Sequence, residues 1–222
     1  MNNLHEFSAT DALSWYGRSL TPGEVGCYLS HINTLDAFLE TDHDYALVLE
    51  DDAILNPDCI EEFSKLLQLI EEQKTPFDGM INLGAASKKL YTKCACIGAK
   101  AQNFICKSHY VPFTAHALLW SRAAAKKLVD NYRPINAPYD VFLRDWNSIF
   151  DCTFTLQKPL FSVVEDGSLI DATDCASLSP RRSTSLMYWS RQRRRFAIKP
   201  RIYWNLVRFR VHKAFARNKG HF

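Results

Sequence analysis

The chain has 222 residues, 47% hydrophobic and 13% aromatic, which suits one large globular domain with or without an extension and excludes a disordered chain. Its net charge of +3 conceals an asymmetry: residues 181–222 hold 13 of the 27 Lys and Arg, and no Asp or Glu follows Asp174, so the body is acidic and the tail basic. No apolar run reaches the ~18–20 residues of a membrane span, and seven cysteines without a regular framework point to a reducing cytosol, not to a disulfide scaffold.

From the first residue, Met1 to Glu6 lack the basic start and apolar run of a signal peptide. Thr21-Pro22-Gly23-Glu24 reads as a helix start, with Thr21 as cap, Pro22 in the first turn and Glu24 three residues after the cap. The stripe Val25, Tyr28, Ile32, Leu35 and Phe38 continues that helix. Residues 45–50 read as a fully buried strand that runs into Glu50-Asp51-Asp52. Asn56-Pro57-Asp58 opens a second helix, with Ile60, Phe63, Leu66, Leu67 and Ile70 on one face. Met80 to Leu83 is a short strand closed by Gly84, and residues 104–120 are strand-rich. Ser121 caps a helix from Arg122 to about Asn131. Pro134 and Pro138 frame a loop into Tyr139–Leu143, and two short strands flank Pro159. This alternation predicts an α/β sheet flanked by helices, with ligands at the strand ends. Cys94-Ala95-Cys96 lacks the second Cys/His pair of a structural zinc site.

The acidic run carries the most chemistry. Three adjacent carboxylates at a strand end repel one another unless a cation arrives. Hard cations such as Mn²⁺ or Mg²⁺ take one or two protein carboxylates together with phosphates and water. Glu50 and Asp52 point the same way along an extended segment and read as metal ligands, with Asp51 facing a different ligand. The competing reading is a solvated turn that caps the next helix.

Four further features have more than one reading. His31 is either a helix-face histidine bonded to backbone or part of a site. His116, in an apolar strand, is either a satisfied core group or a donor facing a phosphate pocket. Asp140 is either a helix cap or a general base whose apolar walls raise its pKa. The tail interleaves Tyr188, Trp189, Phe196, Tyr203, Trp204 and other apolar residues with its basic groups. That pattern favours an anionic membrane surface over a solvated tail or a nucleic-acid partner.

Together these segments resemble glycosyltransferase family 25, which includes bacterial lipooligosaccharide galactosyltransferases and collagen galactosyltransferases. The resemblance rests on Phe7–Asp11, Leu20–His31, Val48–Ala53, His116–Ala124 and Pro138–Asp140, and spans about residues 7–175. It implies a catalytic domain over 1–178, with a GT-A-like nucleotide-sugar-binding sheet, and a basic helical tail over 179–222. The implied reaction moves a hexose, galactose first, from a UDP-sugar to a lipooligosaccharide or lipopolysaccharide glycan, with inversion and with Mn²⁺ or Mg²⁺. By the same resemblance Asp140 is the catalytic base in or near the acceptor site, Glu50 and Asp52 hold metal, and Glu50, Asp51, His31 and His116 bind the donor. The expected location is the cytoplasmic face of the inner membrane, with a lipid-linked glycan acceptor and no nucleic acid.

Two departures from the family pattern are visible. Tyr139 stands where Ile or Val is frequent. The strand and Arg-rich helix that precede the Phe7 match in the family are not in this sequence. The expectation drawn from that is weak activity, or a truncated, inactive protein that binds membrane or glycan.

Overall fold

The computed structural model describes residues 7–72, 77–97, 103–132, 134–163 and 185–218. The proposed boundary at 178/179 lies outside these residues, as do Met1–Glu6 and Cys175. Ser8 caps α1 (Ala9–Trp15), its hydroxyl accepting from the Asp11 N–H at 3.2 Å. Helix α2 (Pro22–Leu39) begins as its sequence requires. Thr21 Oγ1 accepts from the Glu24 N–H, and the Glu24 carboxylate accepts from the Thr21 N–H. Arg18 clasps the same carboxylate at 2.8 and 2.5 Å.

Six strands form one mixed sheet in the order β1 (Tyr45–Leu49), β6 (Ala117–Ser121), β3 (Met80–Asn82), β7 (Thr153–Leu156), β5 (Asn103–Ser108), β4 (Tyr91–Ile97). Only β3–β7 is a parallel pair. Successive side chains leave opposite faces of a strand. Met80, Leu118 and Trp120 therefore enter one core with Tyr28, Ile32, Leu35, Leu128, Leu143 and Trp146. Ile81, Ala117 and Leu119 enter the other with Leu66, Ile70, Ile105 and Leu156. The first core is roofed by α2, α4 (Arg122–Val129) and α5 (Tyr139–Phe150), the second by α3 (Cys59–Glu71). This is the expected α/β sheet with helices on both faces.

Three local expectations need correction. The segment 45–50 is not a fully buried strand: β1 lies at the sheet edge, and only Val48 is buried. Leu47 and Leu49 project from the uncovered side of that edge and are exposed. Ile60 does not join the core face of α3 and is 75% exposed, because the first turn of α3 presents Cys59 inward instead. The segment after Pro138 is a twelve-residue helix, so Asp140 sits in its first turn while Pro138 holds the cap position.

The tail forms one long helix, α6 (Ser185–Asn218), with Pro200 inside it. It lies against the body. Ile198, Ile202 and Leu206 are buried, Ser190 donates to the Leu13 carbonyl, and Asn205 Nδ2 donates to the Ser148 carbonyl. Asp151, in left-handed backbone at φ 48°, anchors the far part. Its carboxylate faces Lys107 at 3.7 Å, His109 at 3.4 Å and Arg208 of α6 at 3.5 Å. Over the described residues the tail is therefore a docked helix, which goes against the rival reading of a solvated tail.

Candidate active site

The chain leaves β1 through a tight turn. The Glu50 N–H donates to the His116 carbonyl at 2.9 Å, and the Ala53 N–H returns to the Glu50 carbonyl at 3.1 Å. The next strand, β2 (Ala53–Leu55), pairs with β8 (Phe161–Val163) and carries the chain away from the sheet. The turn therefore presents Asp51 and Asp52 to solvent and draws Glu50 inward.

Glu50 meets α2. Cys27 and His31 are one helical turn apart and face the same way. His31 Nε2 lies 3.0 Å from Glu50 Oε1, and the Cys27 thiol donates to the same oxygen at 3.9 Å. The bond to His31 is the main cause holding the Glu50 carboxyl below its ordinary range. Burial opposes it, and the charges of His31 and His116 assist. Burial, then the charges of Glu50 and Asp140, push the Cys27 thiol up to about 12. It stays a neutral donor.

Tyr139, at the start of α5, stacks on His31 with ring centroids 4.1 Å apart and planes at 11°. It is fully enclosed, which raises its pKa well above the usual phenol value. The same helix start places Asp140 next to the cluster, close enough for its charge to act on Cys27. Burial raises the Asp140 pKa, opposed by a 2.6 Å bond from the Val141 N–H and by the Arg144 charge. A cavity of about 450 Å³ opens beside Asp140 between α5 and α6.

His116 is 5% exposed, and its Nε2 has no hydrogen-bond partner among the described residues. The ring lies directly over Gly84, where a Cβ would fall 2.1 Å from Nε2. Asn82 shapes this floor: its Oδ1 accepts from the N–H groups of Gly84 and Ala85 at 3.0 Å each.

Glu50, His31, His116 and Asp140 therefore belong to one region, with Asp51 and Asp52 on its solvent side. His31 is not bonded to backbone through Nε2 but to the Glu50 carboxylate. Among the described residues the ligand atoms that gather within 4.8 Å are those of Cys27, His31 and Glu50; Asp52 is not among them. A sulfur, a nitrogen and one oxygen suit zinc better than Mn²⁺ or Mg²⁺. The hard-cation reading instead fits the turn. Asp51 and Asp52 carry no hydrogen bond or ion pair among the described residues, and one or two carboxylates suffice when phosphates and water complete the shell.

The sequence singles out neither Cys27 nor Arg144, and marks Tyr139 only as a departure from the family pattern. The i, i+4 spacing of Cys27 and His31 was the available signal for the first. The stacking of Tyr139 on His31 joins residues 108 positions apart and leaves no local mark.

Residues 2–143 match the family described as glycosyltransferase family 25 (LPS biosynthesis protein). The chain is 35% identical over 68 residues to a Bos taurus protein named probable inactive glycosyltransferase 25 family member 3. It is 33% identical over 64 residues to procollagen galactosyltransferase 1 of Danio rerio. These matches cover 31% and 29% of this chain and 11% of each relative.

Proposed function

The chain belongs to glycosyltransferase family 25 and has the mixed, helix-flanked sheet of a GT-A-like fold, and on that basis we propose that it transfers a hexose, galactose first, from a UDP-sugar to a lipooligosaccharide or lipopolysaccharide glycan, with inversion. The observation that carries this reading is the meeting of three chain segments. The acidic turn after β1, the Cys27–His31 face of α2 and the Tyr139–Asp140 start of α5 converge on Glu50.

Each side chain has a task. Asp51 and Asp52, with Glu50 Oε2, would hold Mn²⁺ or Mg²⁺, which when bound neutralises charge on the departing nucleoside diphosphate. His31 and Cys27 fix Glu50 Oε1 and thereby aim the remaining oxygen. His116 supplies an unspent Nε2 beside that carboxylate, suited to a phosphate oxygen of the donor. Asp140 accepts the proton of the acceptor hydroxyl; its raised pKa makes it a better base than an exposed aspartate.

The outer face of α6 supports placement on an anionic membrane surface, the cytoplasmic face of the inner membrane. Phe196, Tyr203, Trp204, Val207 and Val211 recur at helical spacing and are all exposed, with the basic Arg193, Arg201 and Arg210 also exposed. No helix among the described residues is long and apolar enough to cross a membrane.

The test is a UDP-sugar screen with Mn²⁺, run on the full chain and on Asp52→Ala and Asp140→Asn. Metal-dependent transfer is expected in the wild type, with roughly 10²-fold or greater loss in each variant. Activity unchanged in Asp52→Ala removes the metal assignment. Binding of UDP without turnover of any sugar nucleotide would favour the non-catalytic reading.

A further inference from the structure

The inner face of α6 does more than dock the helix. Arg191, Arg194, Arg195, Ile198, Lys199 and Ile202 all border the cavity beside Asp140. Their spacing of i, i+3, i+4, i+7, i+8 and i+11 is one helical stripe. Ile198 and Ile202 are buried and hold the helix in register, which places its cations along the cavity.

The charge there is unbalanced. Arg18 and Arg144 add two more cations, against the carboxylates of Glu24, Asp140 and Asp145. Arg18 is already bidentate to Glu24. Arg144 donates from Nε and Nη2 to the Val111 carbonyl at 2.8 and 2.5 Å, and lies against the Tyr110 and Phe113 rings. Asp145 Oδ2 accepts from Trp15 Nε1 at 2.8 Å, its buried Oδ1 has no hydrogen-bond partner among the described residues, and the Arg194 charge acts on this carboxylate. The four α6 cations form no ion pair with the described residues. Arg194 Nη1 is buried without a hydrogen-bond partner among the described residues, a costly state for a donor even with the charges of Asp140 and Asp145 nearby, unless a ligand completes it. The cavity also has aromatic walls: the Tyr16 ring lies 5.0 Å from the Arg18 guanidinium and 5.6 Å from that of Arg194.

We propose that this cavity is an acceptor subsite that reads a phosphate or carboxylate substituent on the sugar to be glycosylated, through cations supplied by α6. The proposal rests on the glycosyltransferase reading and narrows its acceptor to anionic glycans. The acceptor side is indicated because Asp140, the group that takes the acceptor proton, borders this cavity, whereas Asp51 and Asp52 do not. Aromatic rings suit a sugar face, and convergent guanidinium groups suit the anion. The volume falls within the usual small-molecule range of about 300–1,000 Å³.

Calorimetry on the full chain tests this with glucose 6-phosphate, glucuronate, glucose and UDP as probes. Arg191→Gln/Arg195→Gln changes exposed side chains only and preserves the fold; Arg194→Gln and Arg194→Lys examine the half-buried one. The wild type is expected to bind glucose 6-phosphate or glucuronate at least roughly tenfold more tightly than glucose. That preference should weaken with added salt and in both Gln variants, and recover in part in Arg194→Lys. UDP affinity should stay unchanged. Equal binding of glucose and both anionic sugars overturns the proposal. So does a loss of UDP affinity in the Gln variants with sugar-phosphate binding intact, which would assign the cations to the donor diphosphate. Anionic-sugar binding in a chain that binds and turns over no sugar nucleotide would sink the glycosyltransferase reading and leave the subsite standing.

Discussion

Replacing Gly84 by alanine asks whether His116 is held in place by the close approach of its ring to the β3 terminus. Gly84 has no positive φ, so its backbone tolerates an alanine. The new methyl would lie 2.1 Å from Nε2, 2.5 Å from Cε1 and 2.6 Å from Cδ2 of His116. A rigid, buried ring must then retreat by about an ångström, an overpacking that costs about 1–3 kcal/mol. Restricting the unfolded chain returns about 0.4–1 kcal/mol. The net expectation is a destabilisation of about 0.5–2 kcal/mol, read as a lower urea midpoint with unchanged slope. In a His116→Ala background the same change meets open space and should be neutral or stabilising. A double-mutant cycle therefore gives a coupling of about 1–3 kcal/mol. If Gly84→Ala is equally costly in both backgrounds, the ring is not the obstacle and the reasoning fails. Displacing the ring by an ångström should also lower turnover by about 10²-fold, provided His116 touches the donor.

Ile202→Ala should cost about 2–5 kcal/mol, since the side chain is 1% exposed; it should also speed proteolysis within α6, and an unchanged melting curve with unchanged cleavage would contradict the docked helix. Thr21→Ala should lose about 1 kcal/mol by removing half of the capping box at α2, measured by denaturant titration. Burial raises the Asp145 pKa to about 6. A carboxyl raised in the folded state binds its proton more tightly there, so its stabilisation is complete below the unfolded value and is lost as pH rises through about 6. The window of about pH 4–6 carries about 2–3 kcal/mol, and Asp145→Asn should flatten it. A wild-type stability profile that rises with pH across that window to the same extent in the variant would rule this out.

Much of the fold was legible because its signals are local. Thr21, Pro22 and Glu24 lie within one helical turn, and their capping geometry is the one their side chains dictate. Ser121 caps α4 for the same reason, accepting from the Ala124 N–H at 3.1 Å. The burial of β1 was misread, because an apolar run does not reveal whether a strand is central or at an edge. Leu47 and Leu49 carry no mark of being uncovered. Tyr139 was legible only as a residue before an acid, since its partner His31 lies on another helix.

The sequence by itself determined the caps, the acidic run Glu50-Asp51-Asp52 and the family, because these depend on residues close along the chain. Tertiary structure decided how that run divides. Glu50 turns in to His31 and Cys27, while Asp51 and Asp52 stay in solvent. It also decided the placement of the basic tail, whose inner stripe faces the cavity beside Asp140 and whose aromatic stripe faces outward. The physical reason is the same in both cases. Electrostatics and stacking act through space over a few ångströms, and only packing α2, α5 and α6 against one sheet brings residues from 27 to 199 within that range.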